Sequence, residues 1–296
     1  MHECNNRGLV LPGLGRVKVR SSRQIRRGNA NCGIYVHKVR RRVEGGWSKP
    51  LRVLEKRTTK DSEVEFARYM LKACSQEGGC AGVPEVYGVI DCVEGASIFM
   101  EYLVEIDESD SCRSDRIERV VIALKAFDEQ FDSFFREKSV KKITRSWRSV
   151  LERALLQVES HGHVRDLLAR FDLEARSLKK GRAPVCHNDL YWPNIIVSRD
   201  GCKFIDFGTV GRNVVGADLH HFLRKVKGPR SAALFEELAE VYSAAFQVEL
   251  REVVIAARCM AVVKAAKRVH AANRGVEDDK VQSELEFIDW ALSERT

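Results

Sequence analysis

Two short runs in the second half of the chain concentrate oxygen-bearing side chains at fixed spacing. The first is His187-Asn188-Asp189-Leu190-Tyr191-Trp192-Pro193-Asn194, of the form H-x-D-x-x-x-x-N. The second is Ile205-Asp206-Phe207-Gly208. Between them, Ile195-Ile196-Val197, a turn at Arg199-Asp200-Gly201 and Lys203-Phe204-Ile205 read as a hairpin. A loop thus supplies Asp189 and Asn194, a strand end supplies Asp206, and the hairpin brings Asn194 and Asp206 together. Phosphoryl transfer asks for this kind of set: a carboxylate beside the attacking hydroxyl, and oxygen ligands that hold Mg²⁺ on the phosphates. Either run alone is a common turn. Both in order, with an apolar hairpin between, are specific.

Together the runs resemble the catalytic loop and D-F-G element of the protein-kinase superfamily. The form H-N-D-L-x-x-x-N-I-I-V followed by I-D-F-G is similar to that of the aminoglycoside phosphotransferase and choline kinase-like family. Two departures from protein kinases point the same way. Tyr191 stands where protein-serine kinases carry a Lys, and the segment from Asp206 to Asp218 is too short for a peptide-docking activation segment. The resemblance implies that Asp189 orients the acceptor hydroxyl and that Asn194 and Asp206 hold Mg²⁺. It also implies a structural role for His187. Asp218, in G-A-D-L-H-H-F-L, resembles the acid that braces the catalytic loop; an ordinary acid at a helix start reads almost as well.

The first half fits the same resemblance. Lys56, at the end of the strand-like run V-L-E-K-R, resembles the Lys that reaches the α and β phosphates of ATP. A carboxylate from the next helix must brace it, and Glu63 and Glu65 compete. Glu63 matches the family better, with Phe66 and Ala67 following it on the helix. Gly28-Asn29-Ala30-Asn31-Cys32-Gly33 lies between two expected strands and resembles a degenerate phosphate-cradling loop; Gly28, Asn31 and Gly33 are its candidate contacts, a plain β-turn the alternative. Ile98-Phe99-Met100-Glu101-Tyr102-Leu103 resembles the segment on which adenine hydrogen-bonds to Glu101 and Leu103, with Met100 guarding the pocket; an edge strand is the plain reading.

These residues need two kinds of support. From Arg23 to about Thr58 the chain reads as strands, with a turn at Glu44-Gly45-Gly46, and 61–76 reads as a helix. Two strand-like runs follow, split at Glu94-Gly95. A polar linker spans 105–115, and helical periodicity occupies 116–137, 144–158, 163–178 and about 217 to the end. The expected fold is α+β and bilobal, protein-kinase-like. It has a basic arm at 1–19, a small β-rich nucleotide-binding lobe at 20–104, and a mainly helical lobe at 105–296 carrying catalysis and acceptor binding.

Composition is that of an ordinary globular chain, 44% hydrophobic and 31% charged over 296 residues. The start lacks the pattern of a signal peptide and no apolar run approaches the roughly 20 residues of a membrane helix, so a cytoplasmic protein is expected. Nine Cys without a C-x-x-C pair argue against a disulfide framework or zinc knuckle, and neither Cys186-His187 nor His220-His221 completes a zinc set; the latter pair reads as ordinary helix residues. Net charge is +8, unevenly spread: residues 1–60 hold 16 Lys/Arg against 3 Asp/Glu. No nucleic-acid recognition motif accompanies that charge. A peripheral membrane contact through Arg40, Arg41 and Arg42, or an anionic acceptor, is compatible with it.

The expectation is therefore an ATP- and Mg²⁺-dependent phosphotransferase acting on a hydroxyl of a small molecule such as a sugar, aminoglycoside or amino alcohol. The alternatives are a nucleotide-binding pseudokinase or scaffold, a kinase acting on a glycan or lipid-linked acceptor at a membrane, and a protein kinase. The presence of all of Lys56, Asp189, Asn194 and Asp206 argues against the first, and Tyr191 with the short segment after Asp206 against the last.

Overall fold

The computed structural model describes residues 9–28, 31–77, 82–104, 113–136, 138–158, 161–178, 183–198, 201–226, 228–275 and 278–293. The chain divides into two compact units. One comprises Met1–Ser111 with Pro193–Thr209, the other Cys112–Trp192 with Val210–Thr296. The segment Pro193–Thr209 thus groups with the β-rich unit, whereas a cut at residue 104 assigns it to the helical one.

The first unit is built on an antiparallel sheet of β1 (Leu9–Leu11), β2 (Gly15–Gly28), β3 (Asn31–Val43), β4 (Gly46–Trp47), β5 (Leu51–Thr58), β6 (Val86–Cys92) and β7 (Gly95–Glu101). Its order is β1-β2-β3-β5-β7-β6, with β4 paired to β3. Residues 9–11 and 15–19, expected as part of an arm, are strand. Leu11 and Val17 are fully buried and pack with Val39, Val53 and Phe99, which draws this basic stretch into the sheet. Residues 1–8 lie outside the described ones, as do 105–112, most of the expected linker.

Side chains alternate across a strand. On β5 the alternation puts Val53, Glu55 and Arg57 on one face and Leu54, Lys56 and Thr58 on the other. Helix α1 (Asp61–Glu77) follows directly and turns Val64, Phe66, Ala67 and Met70 inward at helical spacing. The hairpin of β9 (Ile195–Ser198) and β10 (Gly201–Phe204) belongs to this unit; its turn at 199–200 lies outside the described residues.

In the second unit, α2 (Arg113–Phe131), α3 (Val140–Leu155), α4 (His161–Ser177), α5 (His220–Arg224), α6 (Pro229–Phe246), α7 (Leu250–Gly275) and α8 (Asp278–Ser293) supply the helices, and α3, α4, α7 and α8 share a core. Two short strands, β8 (Val185–Cys186) and β11 (Gly211–Arg212), pair antiparallel. Helix α7 is buried along most of its length, with Ala256, Ala257, Ala261, Ala265 and Ala266 among its buried residues, so α3 and α8 pack closely on it. No helix among the described residues is long and apolar enough to cross a membrane.

Candidate active site

In the β-rich unit, Lys56 is the hub. It is 6% exposed at the end of β5, and its Nζ donates to Glu63 Oε1 and, at 3.0 Å, to Asp206 Oδ1. Glu63 is buried at 3% exposure on the first turn of α1, whereas Glu65 faces solvent. Helical spacing decides between them: Glu63 shares its face with Phe66 and Met70, which are buried in this unit. Phe66, one turn on, packs on Phe207 with ring centroids 5.3 Å apart. One helix face therefore fixes both the lysine and the residue following Asp206.

Asp206 and Asn194 are set by the β9–β10 hairpin. Ile195 pairs with Phe204, and one step outward the Ile205 N–H donates to the Asn194 carbonyl at 3.0 Å. The strand is anchored from its other side by the Phe204 N–H, which donates to the Gly82 carbonyl at 2.8 Å. Asn194 is buried, while the Asp206 side chain keeps 43% of its surface open. Asp206 has φ +66°, a left-handed conformation uncommon outside Gly and concentrated at functional positions.

The remaining nucleotide-side candidates lie on β2, β3 and β7 or just after β7. Gly28 pairs with Asn31 across a β2–β3 hairpin; Asn29 and Ala30 fall outside the described residues. Gly33 has φ +140°, and a Cβ there would stand 2.8 Å from the Tyr35 ring, so a side chain would be strained and crowded. Met100 is buried in β7, opposite Leu54 on one side and Val86 on the other. The Glu101 N–H donates to the Glu85 carbonyl at 2.8 Å, and its carboxylate accepts Lys203 Nζ at 2.5 Å. Leu103 follows in non-strand backbone.

In the helical unit, Asp218 organises the loop that carries Asp189. It is 1% exposed, and its two oxygens accept the backbone N–H groups of His187 at 3.1 Å and Asn188 at 2.7 Å. Burial pushes its carboxyl up to about 6, and those two N–H donors only partly offset this. Gly216 starts the short turn Ala217–Leu219 that presents it. Its φ is +90° and a Cβ would meet the Val253 backbone at 2.8 Å. His187 is fully buried. Asn188 takes φ +62°, which Asn tolerates better than most residues, and its side chain donates to the Cys186 and Gly211 carbonyls and accepts from Asn213.

Asp189 itself is half-buried. Its Oδ1 accepts His221 Nε2 at 2.8 Å. That bond, opposed by burial and reinforced by the charge of Lys264, holds its carboxyl below the usual carboxylate range. Lys264, from α7, donates to the Asn188 carbonyl at 2.8 Å. His220 and His221 both lie on α5, as expected of helix residues, and differ in what they touch. His220 is buried with Nδ1 2.8 Å from the Ala217 carbonyl, and its neighbour reaches the Asp189 carboxylate. Lys264 has no local signature; it is remote from Asp189 along the chain, and only the packing of α7 brings it to the loop.

Each unit thus has a chemical capacity. The β-rich unit offers a buried ammonium flanked by carboxylates, suited to an anionic phosphate chain. The helical unit offers an ionised carboxylate on a braced loop, suited to orienting a hydroxyl.

Residues 21–253 match the family model described as the phosphotransferase enzyme family, and the chain belongs to that family. No curated protein matches the sequence. Among solved structures, the chain is similar to a thermostable aminoglycoside phosphotransferase APH(4)-Ia mutant in ternary complex with AMP-PNP and hygromycin B. The TM-score is 0.60 at 12% identity, covering 93% of this chain and 94% of that one. It is similar also to the apoenzyme of a macrolide 2'-phosphotransferase from Brachybacterium faecium, with TM-score 0.58, 15% identity and coverage of 96% and 95%. Choline kinase from Cryptosporidium parvum Iowa II aligns with TM-score 0.53 at 15% identity over 93% and 88%. The fold, an α+β kinase-like one, is shared with all three.

Proposed function

We propose that this phosphotransferase moves the γ-phosphoryl group of ATP to a hydroxyl of a small molecule. The observation that carries the reading is Lys56, a buried cation held at once by Glu63 and Asp206. Such a lysine positions the phosphates of a nucleotide, and Glu63 fixes its reach. Asp206 and Asn194 are hard-oxygen donors adjoining across a hairpin, and no cluster of three or more His, Cys, Asp or Glu suited to a metal occurs among the described residues. That sparse set fits Mg²⁺, which binds through one or two protein oxygens plus substrate phosphates rather than through an all-protein cage. Bound there, Mg²⁺ supplies charge neutralisation on the phosphates.

The other steps belong to the chain. Asp189 is ionised at neutral pH, so it accepts a hydrogen bond from the acceptor hydroxyl and takes its proton late in transfer. Asp218 holds the loop backbone and hence the direction of that carboxylate. His221 keeps the Asp189 side chain in one orientation. Most of the rate gain comes from positioning and fixed charge. Coupled ADP release with Mg·ATP tests the reading: Asp206→Ala should lose nearly all turnover with the fold intact, and wild-type turnover in that protein refutes the metal assignment.

A further inference from the structure

The side chains around Asp189 in the helical unit carry an excess of positive charge that the loop does not consume. Lys264 Nζ makes one hydrogen bond, to the Asn188 carbonyl, and an ammonium has three donors. Among the described residues it has no carboxylate within ion-pairing distance. The same holds for Lys225, whose Nζ lies 5.9 Å from the centre of the Tyr191 ring. Tyr191 in turn lies 5.3 Å from the His221 ring, and His221 is bonded to Asp189. Lys225, Tyr191, His221 and Asp189 thus form a contiguous row, with Lys264 on the neighbouring backbone.

The carboxylates in this neighbourhood are already engaged. Asp218 is buried and turned toward the His187 and Asn188 amides. Glu284 is bonded to both Arg224 and Arg268. Asp189 is paired with His221. Burial works against the ammonium of Lys264 and lowers its proton affinity, a cost that an anion beside it would relieve. A polycation entering here meets Lys264 and Lys225 with no free carboxylate in the row to receive it, and like-charge contact of this kind excludes ligands.

From this row we infer that the acceptor is anionic: a hydroxyl compound bearing a phosphate or carboxylate group, which Lys264 and Lys225 bind while Asp189 takes the hydroxyl. The inference rests on the phosphotransferase reading and narrows it. The transfer balances simply: the acceptor oxygen gains the γ-phosphoryl group, ADP leaves with the bridging oxygen, and the hydroxyl proton passes to Asp189 and then to solvent. A phosphate on a soluble ester and one on a lipid head group present the same chemistry to these lysines.

The test uses the full chain with Mg·ATP and acceptors matched except in charge. These are glucose, glucosamine, glucose 6-phosphate and gluconate; glycerol and glycerol 3-phosphate; kanamycin as polycation; and phosphatidylcholine vesicles with and without phosphatidylglycerol. ADP release gives kcat/KM, and calorimetric titration in the presence of AMP-PNP gives binding. The expected result is that an anionic member exceeds its neutral or amino counterpart at least tenfold in kcat/KM or affinity. Lys225→Glu should raise its KM about tenfold with a smaller change in kcat. The soluble esters and the vesicles separate a free from a lipid-borne phosphate.

Failure of every anionic member to exceed its neutral or amino counterpart, or a preference for kanamycin over all of them, overturns the inference, as does the absence of any response to all anionic members. In both cases ATP binding, read by thermal shift, leaves the phosphotransferase reading standing. Absence of ATP binding sinks that reading itself. A Lys225→Glu protein that melts with the wild type and keeps its KM for the preferred anion also counts against the inference.

Discussion

Lys56 Nζ and Asp206 Oδ1 lie 3.0 Å apart although 150 positions separate the residues in the sequence. The contact joins the end of β5 to the end of the β9–β10 hairpin, and Glu63 completes it from α1. With Lys56 and Glu63 both buried, removing Lys56 leaves Glu63 as an uncompensated buried charge, which costs on the order of 3–5 kcal/mol, whereas removing Glu63 leaves Lys56 its contact with Asp206 and costs less. Lys56→Met should therefore lower the midpoint of urea unfolding and reduce turnover more than a hundredfold. Glu63→Gln, which keeps the shape, should retain more stability than Glu63→Ala. Equal stability of both with wild type would contradict the buried pairing.

Asp218 predicts opposite pH trends for stability and activity. Its folded-state carboxyl sits at about 6, above the ordinary value of 3.8. The folded state therefore binds the proton more tightly, and the stabilisation this gives is fully present below about 3.8 and lost as pH rises through about 6. The protonated carboxyl has lost acceptor capacity toward the His187 and Asn188 amides, so turnover should fall as pH drops below about 6. Asp218→Asn should flatten the Asp218 contribution to stability across that window and lower kcat at pH 8. Measured kcat profiles and denaturation midpoints between pH 4 and 8 check both, and a kcat unaffected by Asp218→Asn would remove the bracing role.

Glu55 works with the other sign. It lies on the sheet face opposite Lys56 and accepts His37 at 2.7 Å, Ser97 at 2.8 Å and Arg57 at 2.7 Å. Burial opposes its ionisation, but these donors outweigh it and hold the carboxyl at about 2, below the ordinary 4.5. Its contribution is thus present above about 4.5 and lost as pH falls through about 2. Acid unfolding of Glu55→Gln should show a shallower loss of stability from pH 4.5 downward. A slope identical to wild type would place the acid sensitivity elsewhere.

Phe66 links α1 to Phe207. Phe66→Ala should cost about 3–5 kcal/mol through the cavity left behind. It should also reduce turnover by loosening the residue next to Asp206. Phe66→Leu, which refills most of the volume, should recover most of both. Full turnover in a destabilised Phe66→Ala protein would show that the contact serves folding only.

His221 holds Asp189 through one hydrogen bond. His221→Ala should lower kcat by about ten- to a hundredfold, with little change in melting temperature for a partly exposed side chain. His221→Gln, able to donate from its amide, should restore part of the loss. A loss confined to melting temperature would assign His221 to the fold alone.

The candidate site is legible in the sequence where it is local. Asp189, Asn194 and Asp206 all fall in the single stretch 187–208, and the apolar hairpin between Asn194 and Asp206 sets their register. Choosing Glu63 over Glu65 needs the helix face, which Phe66, Ala67 and Met70 outline in the sequence and the packing of α1 resolves. His221 and Lys264 escape a sequence reading for a physical reason: a His in a helix and one Lys among several basic residues of a long helix carry no local pattern. The start of the sheet escapes for another. Charge and glycines dominate residues 9–19, while Leu11 and Val17 reveal their role only once β1 and β2 pair and bury them.

The most direct test of the account is acceptor-dependent ADP release from Mg·ATP, run for the wild type and Asp189→Ala in parallel. The account predicts release that appears with a hydroxylated acceptor in the wild type and disappears in Asp189→Ala, with ATP binding retained in both. Equal release from the two proteins with the same acceptor would contradict it.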